Sequence, residues 1–156
     1  MRWIWIDKFL EFESGKRAVA IKNLTLAEEH LHDHFPGYPV MPPCLIIEGM
    51  AQTAGILVGE VRDFQEKVIL AKVKRATFGG IARPGQQLRY EADVESITDQ
   101  GATTTGKVLV DGEPMGVIDL MFSHIDHNVS GLDFPEENFV FTEEFKSLLR
   151  TYHAAR

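Results

Sequence analysis

The chain has 156 residues, 44% hydrophobic and 25% charged, with 16 Lys+Arg against 23 Asp+Glu, a net charge of −7 and a single Cys. That length suits one domain with a substantial core, and the acidic balance argues against nucleic acid or an anionic membrane as partner. One Cys excludes a disulfide framework and any multi-Cys zinc site.

The opening MRWIWIDK is too short and too polar at its end for a secretory signal, so a reducing cytoplasm is the expected location. No apolar run approaches the ~20 residues of a membrane span. Residues 16–24 partly alternate and favour a strand. Residues 25–41 carry His, Asp, Gly and Pro and read as loop, with one helical turn near Ala27–Leu31. From Pro42 to Phe64 the sequence is apolar nearly all round, as in a helix buried on every side, with prolines in its first turn. Gly49, Ala51, Ala54, Gly55 and Gly59 suit such a helix if another backbone presses close against it.

Beyond the helix the period changes to two. Strands are predicted over Val68–Thr77, Gln86–Ile97, Thr103–Val110 and Pro114–Ile125. Asp111–Gly112 is a strong hairpin signal, Pro84–Gly85 a turn, and Asp99–Gln100–Gly101 a looser connection. The fold class is therefore α+β, an antiparallel sheet wrapped around a long central apolar helix. A single domain is expected over 1–156, with a C-terminal extension from about 127. Within it, Glu143–His153 reads as a short amphipathic helix capped by Thr142.

Chemistry concentrates between His34 and Gln52. Among Leu45, Ile46, Ile47 and Met50 an ionised Glu48 is expensive, which favours the protonated acid. Gln52 stands one turn on, where its amide can orient that carboxyl. His34, before the rigid Phe35-Pro36-Gly37 turn, is the natural acid–base partner of Glu48. His30, His32 and His34 alternate as metal ligands on a strand do, but no further Cys or well-placed carboxylate completes a set, so no metal is expected. His124 and His127 end the last strand and are expected to be solvated. Lys67, Lys72, Lys74, Arg75, Arg83 and Arg89 form a stretch without Asp or Glu. It reads either as a solvated face or as a docking surface for an acidic partner.

The run His34-Phe35-Pro36-Gly37-Tyr38-Pro39-Val40-Met41-Pro42-Pro43-Cys44-Leu45-Ile46-Ile47-Glu48-Gly49-Met50-Ala51-Gln52 closely resembles the motif of the β-hydroxyacyl-acyl carrier protein dehydratases of type II fatty acid synthesis (FabZ-like). Arg83-Pro84-Gly85-Gln86-Gln87-Leu88 extends the resemblance more weakly, over roughly residues 15–125. It implies a hot-dog fold, assembled as a homodimer or a trimer of dimers, with His34 from one subunit and Glu48 from the other. His34 then removes the α-proton of a 3-hydroxyacyl thioester and Glu48 protonates the departing hydroxyl, with no cofactor. Cys44, Gln52 and Gly37 form the oxyanion and orienting group. Phe35, Ile46, Met50 and Phe78 are the expected tunnel, and Lys72, Lys74, Arg75 and Arg83 the docking face for acyl carrier protein or coenzyme A thioesters. Gly79-Gly80 stand where the family often has basic residues.

One departure stands out. The family has Gly after Met-Pro, and its N–H is the chief donor to the thioester carbonyl. Pro43 has no N–H, and losing one such donor costs ~10²–10³ in turnover; the Cys44 N–H lies one residue on. A thiol at a helix N-terminus also invites a nucleophile reading. The sibling dehydratase-isomerases have a Cys there without using it so, and Cys44 is read as a packing residue. Glu48 in place of that sibling's Asp implies plain dehydration. Two further readings are a hot-dog acyl thioesterase and, because of Pro43, a non-catalytic acyl-binding or scaffold homologue.

Overall fold

The structure, a computed structural model, describes residues 3–125, 134–143 and 146–147. β1 spans Lys8–Glu13 and β2 Arg17–Asn23, followed later by β3 at Val68–Phe78, β4 at Gln87–Ile97, β5 at Gly101–Val110 and β6 at Glu113–His124. Between β2 and β3 lie a helical turn, α1 (His30–Asp33), and the long helix α2 (Pro43–Glu60). The strands form one antiparallel sheet in the order β1-β2-β4-β5-β6-β3. The expected α+β architecture is present, with α2 packed against β2, β3, β4, β5 and β6.

Alternation decides which face meets the helix. Leu88, Tyr90 and Ala92 of β4, Val108 and Val110 of β5, and Ile118, Leu120 and Phe122 of β6 are buried in one core with Ile46, Met50, Ala54 and Val58 of α2. Asp111 and Gly112 both take positive φ, 51° and 89°, the left-handed pair that a two-residue hairpin requires. Buried Thr53 returns its hydroxyl to the Gly49 carbonyl at 2.8 Å and so brings no unsatisfied group into the core.

Three expectations need correction. Aromatic rings, not another backbone, fill the space above the helix glycines: Tyr90 over Gly49, Phe122 over Gly55, Phe141 and Phe64 over Gly59. The amino-terminal segment contributes an edge strand, β1, bulged between Phe9 and Glu11, where none was expected. His124, expected in solvent, has a side chain only 2% exposed, with Nδ1 3.0 Å from Glu66 Oε2. His127 lies outside the described residues.

Part of the C-terminal extension docks on this frame. Asn138 Nδ2 donates to the carbonyls of Phe64 and Glu66, and Phe141 is buried against Phe64. Glu143, Lys146 and Ser147 are helical, with the Lys146 N–H on the Thr142 carbonyl. The rest of the expected 143–153 helix lies outside the described residues. Among the described residues no helix is long and apolar enough to cross a membrane.

Candidate active site

Pro42 is extended (φ −58°, ψ 132°) and Pro43 opens α2, where a fixed φ and a missing N–H are both tolerated. The Leu45 and Ile46 N–H groups turn back onto the Pro42 carbonyl. That leaves Cys44 to supply the first N–H at the tip of α2, and its side chain is exposed in the single chain. The expected packing role of Cys44 is therefore not met by its own chain.

Glu48 lies one turn further, on the stripe Leu45, Glu48, Gln52 that the chain leaves half-buried. Within one copy the carboxyl is thus only half-buried. Its Oε1 accepts two hydrogen bonds, from Gln52 Nε2 at 3.0 Å and from Trp3 Nε1 at 3.0 Å. The first is the i,i+4 contact expected from the sequence. The second joins residues 45 apart, and no local pattern signals it. Gln52 is itself held: its Oε1 accepts from the Trp5 N–H at 2.8 Å, and its Nε2 also donates to the Trp3 carbonyl at 3.1 Å.

His34 caps α1 and begins the turn. The Phe35 N–H donates to the Tyr38 carbonyl and the Tyr38 N–H returns to Phe35, with Gly37 at φ 74° closing the loop. The Val40 N–H donates to the His34 carbonyl at 2.9 Å. The half-buried imidazole lies 4.0 Å from the Phe35 ring, centroid to centroid. The three alternating histidines do not converge. His30 turns inward, with Nε2 3.2 Å from Met41 Sδ and its ring edge on Trp5, while His32 turns to the Leu26 carbonyl. Burial lowers the His30 pKa below the ordinary histidine value, disfavouring the charged ring.

No hydrogen bond joins His34 to Glu48 within one chain, among the described residues. Beside Glu48 is a cavity of about 340 Å³, lined by Trp3, Gln52, Leu70, Phe122 and Phe141 among others. None of the expected tunnel residues lines it: Ile46 and Met50 are buried in the core, Phe78 packs against that core and Phe35 is exposed. The basic stretch is partly neutralised by the fold. Arg75 pairs with Asp119 at 2.8 Å, Lys74 lies 3.7 Å from Glu95, and the Arg83 guanidinium sits 3.9 Å over the Tyr38 ring. Lys72 is exposed on β3, at the edge of the sheet.

The architecture and this motif have counterparts among known proteins. Residues 3–116 match the family model described as FabA-like domain. The chain is 39% identical over 121 residues to the 3-hydroxyacyl-acyl-carrier-protein dehydratase FabZ of Caldanaerobacter subterraneus subsp. tengcongensis, covering 77% of this chain and 86% of that protein. It is 40% identical over 124 residues to the FabZ of Bacillus pumilus, covering 78% and 85%. Among solved structures, it resembles a chain of the dehydratase heterocomplex ApeI:P from Xenorhabdus doucetiae with a TM-score of 0.66 at 13% identity, covering 78% and 83%. A likeness at that identity concerns the fold alone.

Proposed function

The chain belongs to the FabA-like domain family, and from that premise we propose that it dehydrates 3-hydroxyacyl thioesters carried on acyl carrier protein to trans-2-enoyl thioesters, as a hydro-lyase of fatty acid biosynthesis. The observation that carries the residue assignment is the Glu48 carboxyl, held by two N–H donors on one oxygen beside a largely apolar cavity.

In this reading His34 accepts the proton from C2. The C2–H electron pair becomes the new double bond, and the C3–O bond breaks with its electrons on oxygen. That oxygen takes the proton of Glu48 and leaves as water. One group must accept and the other donate, so their surroundings must differ. Negative charge developing on the thioester oxygen falls at the N-terminus of α2, where the Cys44 N–H takes the role that Pro43 cannot fill. The cavity beside Glu48 accommodates the acyl chain; its volume lies within the range of small-ligand sites.

The acid–base pair is completed between two copies of the chain, His34 from one and Glu48 from the other. Two features support this. No hydrogen bond joins the two within one chain among the described residues, and the Glu48 stripe is left half-covered. Lys72, Lys74, Arg75 and Arg83 offer positive charge to the carrier protein.

The test is hydration of a short enoyl thioester, followed by loss of enone absorbance, in the wild type, His34→Ala and Glu48→Gln. Each substitution should lower the rate by ~10²–10⁴, and equal rates in all three would overturn the assignment. Pro43 favours one rival, a non-catalytic acyl-binding homologue, which would bind the thioester without hydrating it. Release of free thiol in the same assay would instead mark a thioesterase.

A further inference from the structure

The geometry points to Trp3 as a positioning residue for the Glu48 acid: its indole N–H, acting with Gln52, fixes which carboxyl oxygen carries the proton that is transferred. This rests on the acid role given to Glu48 above. Both donors reach the same atom, Oε1, each at 3.0 Å. Oε2 accepts no hydrogen bond among the described residues. A neutral carboxyl has one oxygen that only accepts and one that bears the hydrogen. Two N–H groups on Oε1 therefore select it as the carbonyl oxygen and leave Oε2 as the O–H. With both oxygens free, the carboxyl could rotate and present either one, and part of its orientation would be lost at each turnover.

The amino-terminal segment is built to hold that indole in place. Trp3 meets Trp5 edge-to-face, with centroids 5.5 Å apart and planes at 89°. Trp5 is buried, and its ring in turn meets His30 at 5.0 Å. The Gln52 amide spans the same segment, accepting from the Trp5 N–H and donating to the Trp3 carbonyl. Gln52 thus reaches the carboxyl and the Trp3 backbone with one amide nitrogen. Trp3 also lines the cavity beside Glu48, so the ring that orients the acid forms part of the wall that an acyl chain would meet.

Trp3→Phe keeps an aromatic ring on Trp5 and removes the N–H, together with the smaller ring that carries it. Hydration of a short enoyl thioester by this variant should show kcat lowered about tenfold, the size expected for one charge-assisted hydrogen bond, with KM changed less than twofold. Hydration needs the carboxylate to take a proton from water, and an N–H donor favours the ionised form. The acid limb of the hydration profile should therefore move to higher pH in Trp3→Phe, which a purely structural loss would not produce. Trp3→Ala should show the same limb shift with a larger change in KM, since it also removes the ring. Wild-type kcat and an unmoved limb in Trp3→Phe, with Glu48→Gln inactive, would overturn the role of Trp3 alone. Full activity in Glu48→Gln would overturn both this inference and the reading beneath it.

Discussion

The Tyr90 side chain lies against Gly49, its hydroxyl occupying the space that a Cβ on the glycine would take. In this chain the phenol ring fills that volume. Tyr90 is fully buried, its hydroxyl has no hydrogen-bond partner among the described residues, and burial pushes its ionisation far above the usual range. Gly49→Ala should therefore destabilise the fold by ~1–3 kcal/mol through overpacking. Tyr90→Phe removes a buried unsatisfied group, so its melting temperature should equal or exceed that of the wild type. In the Tyr90→Phe background the cost of Gly49→Ala should shrink, because the nearest clashing atom is gone. Thermal unfolding of the three variants measures this, and an undiminished cost in the double variant would place the strain on the ring carbons rather than the hydroxyl.

If the thioester oxygen lies at the tip of α2, as proposed, an N–H there must meet it. Pro43→Gly restores a donor at the first helical position and loosens the unfolded chain, which costs about 0.4–1 kcal/mol of stability. If the site lacks a full oxyanion contact, kcat for enoyl-thioester hydration should rise, by up to the ~10²-fold attached to one donor. An unchanged kcat with a lowered melting temperature would show that the Cys44 N–H already serves.

The sequence and the structure part company in physically definite places. Strands β4 to β6 were legible because period-two alternation faces a continuous core, and Asp111–Gly112 could hardly be other than a hairpin turn. The edge strand β1 was not legible, since its bulge between Phe9 and Glu11 breaks the alternation of KFLEFE. The small residues of α2 signalled close approach but not its source, because a ring and a backbone leave the same mark in the sequence. His124 sits at a strand end, where exposure is the ordinary expectation; its burial depends on packing contacts that sequence order does not encode. Glu48 and Gln52 were readable as an i,i+4 pair, whereas Trp3 reaches the same carboxyl from the far end of the chain.

Phe141 comes from the segment beyond the matched family region and closes part of the cavity beside Glu48. It packs on Gly59, 11 residues along α2 from Glu48, which is roughly 16 Å at 1.5 Å per residue. Phe141→Ala should cost ~3–5 kcal/mol if the site does not collapse, and it should lengthen the cavity at that end. The ratio of kcat/KM for long over short acyl thioesters should then rise. A stability loss with an unchanged ratio would separate Phe141 from the acyl path.

Acid stability tests the network on β4. Glu91 is held by Arg89 and Arg17, and its pKa is lowered chiefly by the hydrogen bond from Arg89. A depressed carboxylate contributes stability that is present above its unfolded value, about 4.5, and is lost as pH falls through the lower folded value. Glu91→Gln should therefore lower the melting temperature at pH 7, by an amount equivalent to about 1 kcal/mol for such a partly exposed network. The gap should close below pH 4.5, and a gap constant down to pH 3 would assign the loss to packing.

The cations of the proposed docking face differ in how far the fold has already neutralised them. Arg75 is committed to Asp119, and Lys74 lies within reach of Glu95. Lys72 stands exposed on the outermost strand, and among the described residues no carboxylate pairs with it as those two cations are paired. If an acidic carrier protein meets this surface, Lys72→Glu should raise KM for carrier-linked substrate several-fold at low salt, with less effect as salt rises. Arg75→Ala should change KM less, because much of its charge is already spent on Asp119, although freeing Asp119 adds some repulsion. Short synthetic thioesters, which never touch this surface, should keep their KM in both variants. Reversing Lys72, Lys74 and Arg75 together gives the largest contrast. An unchanged KM for carrier-linked substrate in that triple variant would show that the carrier docks elsewhere.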